Sequence, residues 1–367
     1  MTDDPTNETI MFGENKAARW YQIAALHGVE KALENSIRRI LVVHPTGTGK
    51  TLTSGLIFSS SRVKKALGVQ NRDLRLLFIA HKHRLLTQAE REYASSIGVE
   101  FIPHSAFAPL PKDIQWDIAC IDEAHHEAMT TIQMHLEKVG DKPILGLTAT
   151  PDRADGCLIK FETIIDPITR EQAVQEGYLA PTYLNSILDS NVRNKVSMAK
   201  MIIQDFGHEF GQTLMFFRTR NEVRDMTQYL VDKGYNAVPI LDKSAKMVDY
   251  TLDKFSAGNI QFLINCNKLN EGIDVRGCTD LFLSSQYGSY AQLNQVIGRA
   301  SRPDCVCRIW EMINPLSGRN LDTTVVVGTP ERHRLLARKR SEWIQKDFDY
   351  VSNLSARQFA DKEKITY

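Results

Sequence analysis

One stretch constrains this chain more than any other: Ile40-Leu-Val-Val-His-Pro-Thr-Gly-Thr-Gly-Lys-Thr51. Its opening apolar run reads as a strand buried on both faces, and a helical pattern resumes after Thr51. The turn between them must bend sharply while its backbone N–H groups converge. Gly47 and Gly49 permit the positive φ angles this requires, which makes an anion nest at a helix N-terminus. Thr46 and Thr48 belong to the same loop. Lys50 adds a compact charge for the β and γ phosphates of a nucleotide, and Thr51 a hydroxyl for Mg²⁺. His44 stands where the strict spacing has glycine or alanine. That departure is mild, because the position begins the turn and its side chain does not touch phosphate.

Short continuous apolar runs recur on both sides of this loop. Ile40–Val43, Leu76–Ala80, Trp116–Ile121 and Pro143–Leu147 form one series. Thr213–Phe217, Ala237–Leu241, Phe262–Asn265, Leu281–Leu283 and Cys307–Trp310 form another. Helical patterns between them suit right-handed crossovers in a parallel sheet, so the chain is read as α/β with two tandem domains. The boundaries are 1–175 for an N-terminal nucleotide-binding domain, 176–195 for a linker and 196–330 for a second domain. Residues 331–367 then read as a short basic and aromatic helical tail. Arg332, Arg334, Arg338, Lys339 and Arg340 crowd it, followed by Trp343, Phe348 and Tyr350. Such a run is either a solvated face or a contact with phosphates or a partner.

Composition narrows the setting. Lys plus Arg is 45 against 44 for Asp plus Glu, so any grip on a polyanion must come from a local stripe. The longest apolar runs fall short of the ~18 residues a membrane span needs. The N-terminus is acidic and polar, unlike a secretory signal or transit peptide. Six scattered cysteines do not make a disulfide framework, and a reduced, cytoplasmic setting is expected. Cys305 and Cys307 form a lone C-x-C, read as small residues of a buried strand and not as a metal site.

A second strand, Asp117-Ile-Ala-Cys-Ile-Asp-Glu-Ala-His-His126, ends in adjacent carboxylates. At a strand's C-terminal edge beside the phosphate loop, Asp122 would hold Mg²⁺ while Glu123 orients and deprotonates an attacking water.

Asp122-Glu-Ala-His125, together with His44-Pro-Thr-Gly-Thr-Gly-Lys-Thr51, resembles the DExH branch of the superfamily 2 helicases. The resemblance implies RecA-like domains, with ATP in the cleft between them. It extends to Leu145-Gly-Leu-Thr-Ala-Thr-Pro-Asp-Arg153, whose Thr148 and Thr150 would couple hydrolysis to nucleic-acid grip, as would His125. Arg19-Trp-Tyr-Gln22 resembles the adenine-recognition segment, in which Arg19 and the Gln22 amide would meet the base. His81, Lys82 and Arg84 fall where the family touches the nucleic-acid backbone, and Arg218 where its fourth motif belongs. Leu269-Asn-Glu-Gly-Ile-Asp-Val275 resembles the fifth motif, with Gly272 giving close backbone approach and Asp274 taking the ribose hydroxyls. Gln295-Val-Ile-Gly-Arg-Ala-Ser-Arg302 is similar to the sixth, with Gln295, Arg299 and Arg302 as catalytic residues. A guanidinium there would neutralise charge spreading over the γ-phosphoryl oxygens.

The longer matches look most like the group of restriction motors, XPB-like proteins, RecG and phage UvsW. That resemblance implies a monomeric, ATP-driven helicase or translocase acting on single-stranded or branched duplex DNA. Replication or recombination proteins would be its partners, in a bacterial or phage-infected cell. Two alternatives stay open: an accessory ATP switch that remodels without processive unwinding, and an RNA helicase. A P-loop kinase or GTPase is disfavoured, since no phosphoacceptor or guanine-reading motif is present and the downstream arginines would be unexplained.

Overall fold

The computed structural model describes residues 10–12, 16–80, 86–87, 89–90, 93, 98–110, 113–124, 141–150, 161–188, 195–241, 244–266, 275, 277–285, 287, 290–303, 305–314, 323–339, 342–348, 358–359 and 362. The chain divides into two compact units, Met1–Thr169 and Arg170–Tyr367.

The first unit runs β1 (Met11–Phe12), β2 (Lys16–Ala17), α1 (Trp20–Glu34), β3 (Arg39–Val43), α2 (Lys50–Ser59), α3 (Ser61–Ala66), β4 (Leu74–Ala80), β5 (Val99–Ser105), β6 (Ile118–Asp122), β7 (Ile144–Thr148) and β8 (Thr163–Ile165). Strands β3 to β8 make one sheet in the order β5-β4-β6-β7-β3-β8, parallel throughout. Period-two geometry explains the continuous apolar runs. In β3, Ile40 and Val42 pack with Val29, Ile57 and Phe58 on one face. Leu41 and Val43 pack with Ile121 and Trp116 on the other.

The second unit runs α4 (Arg170–Gln175), β9 (Thr182–Leu188), α5 (Lys195–Phe206), β10 (Thr213–Phe216), α6 (Arg220–Asp232), β11 (Ala237–Ile240), α7 (Ala245–Ser256), β12 (Phe262–Asn265), β13 (Asp280–Leu283), α8 (Tyr290–Ile297), β14 (Cys307–Ile313), α9 (Thr324–Val327), β15 (Arg332–Lys339) and β16 (Glu342–Phe348). Its sheet has the order β11-β12-β10-β13-β14-β9-β15-β16, parallel except for the last pair. Here too the core divides by alternation, Leu214 and Phe216 to one face and Met215 and Phe217 to the other. Thr219, just beyond β10, starts α6 with a capping box: its hydroxyl accepts from the Glu222 N–H while the Glu222 carboxylate accepts from its own.

Two expectations are corrected. The stretch read as a linker, 176–195, contains β9, which lies inside the second sheet between β14 and β15. It escapes an apolar-run criterion because Asn185 and Ser186 are buried polar residues with partners: Ser186 donates to Glu311 at 2.6 Å, and Arg334 donates to Asn185 at 2.8 Å.

The basic tail is not helical at Arg332–Lys339 and Glu342–Phe348 but an antiparallel pair of strands extending the sheet. Its three described arginines are tied within the protein. Arg332 forks onto Asp347. Arg338 and the Trp343 indole both donate to Asp205 at the end of α5. Arg334, 8% exposed, forks onto Glu209 and lies over the rings of Phe206 and Trp310.

Removing this guanidinium leaves a carboxylate and a buried amide without their donor. Arg334→Met should cost about 2–4 kcal/mol of stability, read as a lower midpoint in urea denaturation. An unchanged midpoint would show that the pair does not hold the hairpin.

Candidate nucleotide site

In a parallel sheet every strand delivers its C-terminus to the same edge, and ligands bind outside that edge. In the first unit, β3 ends there in the phosphate loop and β6 in Asp122. Strand β7 lies between them and ends in Thr148. The register fixes the spacing: Val43 lies opposite Thr148, and Asp122 opposite Leu147. Residues more than seventy positions apart in sequence thus come to one edge. The ladder continues one residue into the loop, where the His44 N–H donates to the Thr148 carbonyl at 2.9 Å.

Gly47 and Gly49 adopt φ of 95° and 89°. Gly49 is the N-cap of α2, so Lys50 and Thr51 open that helix at its positive end. A Cβ on Gly49 would sit 3.1 Å from the Gln22 side chain. The Thr46 hydroxyl is buried with no hydrogen-bond partner among the described residues. Thr48 is turned inward: its N–H and hydroxyl both donate to the Pro45 carbonyl, at 3.2 and 2.7 Å. Its side chain therefore shapes the loop.

The start of α1 grips this loop from behind. The Tyr21 hydroxyl donates to the Thr48 carbonyl at 2.7 Å and accepts from Arg19 at 3.0 Å. The Gln22 amide nitrogen lies 3.4 Å from the same carbonyl, while its oxygen accepts from the Arg19 N–H at 2.9 Å. Gln22 is buried, and both ends of its amide are engaged within the chain. Sequence reasoning singled out Arg19 and Gln22 but assigned nothing to Tyr21. Its buried hydroxyl, which needs a partner, is the signal that pointed to it.

The acidic end of β6 carries strain. Glu123 has φ of 55°, left-handed for a residue with a side chain, and its N–H donates to Asp122 Oδ1 at 3.0 Å. Such conformations cluster at working sites. Thr148 and Thr150 close a small turn, the Thr148 hydroxyl donating to the Thr150 carbonyl at 2.8 Å and accepting from its N–H at 3.1 Å. Oxygen donors at Thr51 and Asp122, beside a loop with left-handed glycines and an unpartnered hydroxyl, suit a hard divalent cation such as Mg²⁺.

In the second unit, Arg218 is exposed at the end of β10. Gln295 is buried on α8, and Arg299 and Arg302 are half-buried in the turn that follows. The Arg302 carbonyl accepts from the Cys305 N–H and thiol, both at 3.3 Å. His81, Lys82, Arg84, His125, Gly272 and Asp274 lie outside the described residues.

Two family profiles match the chain. Residues 15–108 match "Type III restriction enzyme, res subunit", and residues 194–304 match "Helicase conserved C-terminal domain". The first ends just beyond β5 and the second spans the arginine turn. The chain belongs to superfamily 2 of the helicases.

This family comprises ATP-dependent nucleic-acid enzymes. Among its relatives, the chain is 22% identical to the type I restriction enzyme EcoAI endonuclease subunit of Escherichia coli, over 80% of this chain and 45% of that one. The helicase chain thus spans about half the length of that relative. In structure it resembles a fragment of an HsdR-type subunit of a type I restriction enzyme from Vibrio vulnificus YJ016. The TM-score is 0.70 at 19% identity, covering 92% of this chain and 70% of that one. It also resembles the type ISP restriction-modification enzyme LlaBIII bound to DNA, with TM-score 0.61 at 16% identity, covering 85% and 29%. These likenesses establish the fold. Among the described residues no helix is long and apolar enough to cross a membrane.

His44 makes a pH prediction. Its side chain is fully buried, edge-on to Tyr21 at 5.4 Å, with Nδ1 3.5 Å from the Thr53 hydroxyl. Burial, and after it the charge of Lys50, lower its pKa to about 3. Folded, the imidazole is neutral; unfolded, it takes up a proton below about pH 6.5. Stability contributed above pH 6.5 is therefore lost as pH falls towards 3, by up to about 1.4 kcal/mol per unit. His44→Asn should flatten that dependence in urea titrations between pH 4 and 6.5; an unaltered slope would contradict it.

Gly49→Ala forces a side chain into a left-handed position against Gln22. It should weaken ATP binding by about 5- to 30-fold, given a strain of about 1–2 kcal/mol, in fluorescent-nucleotide titration. Wild-type affinity would show that the loop tolerates a Cβ.

Proposed function

We propose that this chain hydrolyses ATP between its two units and uses the cycle to move along or remodel duplex or branched DNA. The observation that carries the reading is the convergence of Lys50, Thr51, Asp122 and Glu123 at one sheet edge, in a chain whose second unit offers Arg299 and Arg302 on a turn. Lys50 and the backbone amides of the loop hold the triphosphate. Thr51 and Asp122 would hold Mg²⁺, which would supply neutralising charge there. Glu123 orients a water and accepts its proton as the oxygen bonds to the γ-phosphorus. The bond to the β-γ bridging oxygen breaks, and ADP leaves with that electron pair.

Arg299 and Arg302 compensate the charge that builds on the γ-phosphoryl group, with Gln295 beside them. Arginine suits this task because its planar fork meets two oxygens together. Nucleic acid spanning both units favours their closure and so completes the site. His81, Lys82, Arg84, Arg218 and the His125–Thr148–Thr150 group would couple grip to hydrolysis. The DNA-bound relative supports DNA as substrate. Action in replication, recombination or repair, as a monomer in the cytoplasm, is part of the same proposal.

Lys50→Ala and Arg302→Ala should each lower turnover by about 10³-fold or more. Arg302→Ala should leave binding of a non-hydrolysable ATP analogue within a few-fold of wild type. Normal hydrolysis in Arg302→Ala would sink the finger assignment. Turnover should be stimulated by forked or duplex DNA above RNA at one fixed salt concentration. Strong ATP consumption with no strand displacement or branch movement would favour an accessory switch instead.

A further inference from the structure

Ser301 lies between Arg299 and Arg302 and is held by residues far from it in sequence. Its side chain is fully buried, and its hydroxyl lies 2.8 Å from the carbonyl of Ile297 in the last turn of α8. A hydroxyl has one proton but two lone pairs. With the proton given to Ile297, a lone pair accepts from the Arg170 guanidinium, whose Nη2 lies 2.7 Å away. The Ser301 carbonyl in turn accepts from the Ala180 N–H at 3.4 Å. The arginine turn is therefore fastened to the segment 170–180 through both side chain and backbone.

That segment has a particular place in the chain. The first unit ends at Thr169, and Arg170 is the first residue of the second unit and of α4. From α4 the chain turns at Gly177, φ 72°, and enters β9, inside the second sheet. Any rotation of the connection between the units acts first on α4. Arg170 is half-buried, and its guanidinium spans from the first turn of α4 to the turn that bears Arg299 and Arg302.

We propose that Arg170 is a positioning residue. It registers the turn bearing Arg299 and Arg302 against the segment joining the units, so that closure over ATP also sets the arginines. The inference rests on the reading that Arg302 acts on the γ-phosphoryl group. Arg170 itself touches no substrate; it acts through Ser301.

The test uses the full chain, with kcat and KM for ATP measured at saturating duplex DNA for Arg170→Ala, Arg170→Lys, Ser301→Ala and Arg170→Ala/Ser301→Ala, beside Arg302→Ala. Misplacing catalytic groups by about 1 Å can cost about 10²-fold. Arg170→Ala and Ser301→Ala should each lower kcat by about 10- to 100-fold, with KM within about threefold and the thermal midpoint close to wild type. The double variant should be no worse than the poorer single one, as expected of residues acting as one unit. Arg170→Lys, which keeps one donor, should recover part of the loss. Wild-type kcat in Arg170→Ala, or losses that multiply in the double variant, would overturn the inference. Should Arg170→Ala fail to fold, Ser301→Ala and Arg170→Lys decide by the same split. A large loss in Arg302→Ala with none at Arg170 or Ser301 refutes only this inference. Normal turnover in Arg302→Ala removes the reading beneath it.

Discussion

A triphosphate in water is strongly hydrated, and a protein that binds it must replace that shell with donors already in place. In the proposed reading the donors are the backbone amides of the loop between β3 and α2. Their arrangement depends on Gly47 and Gly49 holding left-handed angles. The remaining chemistry is arranged around that constraint. A parallel sheet sets the acidic end of β6 and the threonine turn after β7 on the same edge as the loop, so the candidate cation ligands and the candidate base reach it without a long connection. The strain at Glu123 is local and supported, since β6 is buried on both sides and Asp122 accepts the Glu123 N–H.

The loop is supported from behind as well. Tyr21 and Gln22 meet the Thr48 carbonyl, and His44 fills the space under the turn where glycine or alanine would leave room. A neutral, buried imidazole there packs against Tyr21 and also connects by its backbone to Thr148. The start of α1, the glycine loop and the threonine turn thus share one small hydrogen-bonded group. A change at any of them is felt by the others.

Much of this was legible in sequence because a parallel sheet writes its buried strands as short apolar runs. The strands at β3, β4, β6, β7, β10, β12, β13 and β14 all follow that rule. Edge strand β5 is partly exposed and mixed in composition, so it gave no such run. Strand β9 was hidden for the opposite reason, since Asn185 and Ser186 are buried polar residues whose partners lie on β14 and β15. In the tail, charge density suggested a solvated helix. Yet Arg332, Arg334 and Arg338 fall on alternate positions, the period of a strand, and each has an acidic partner. At the site, spacing and residue type marked Lys50, Thr51, Asp122 and Glu123, and the resemblance to a helicase motif marked Arg299 and Arg302. Tyr21 and Ser301 lie inside quoted motifs without a role of their own there, and Arg170 lies outside them; their contacts with Thr48, Arg170 and Ser301 join residues far apart in sequence, which only coordinates reveal.

The central claim is that ATP is enclosed by groups from both units, with the arginines supplied by the second. A structure of the chain with Mg²⁺, ADP, aluminium fluoride and duplex DNA measures this directly. The account predicts the Arg302 guanidinium within hydrogen-bonding distance, about 2.7–3.2 Å, of the group standing in for the transferring phosphoryl. A guanidinium turned away from the nucleotide in that complex, with the units closed, would contradict it.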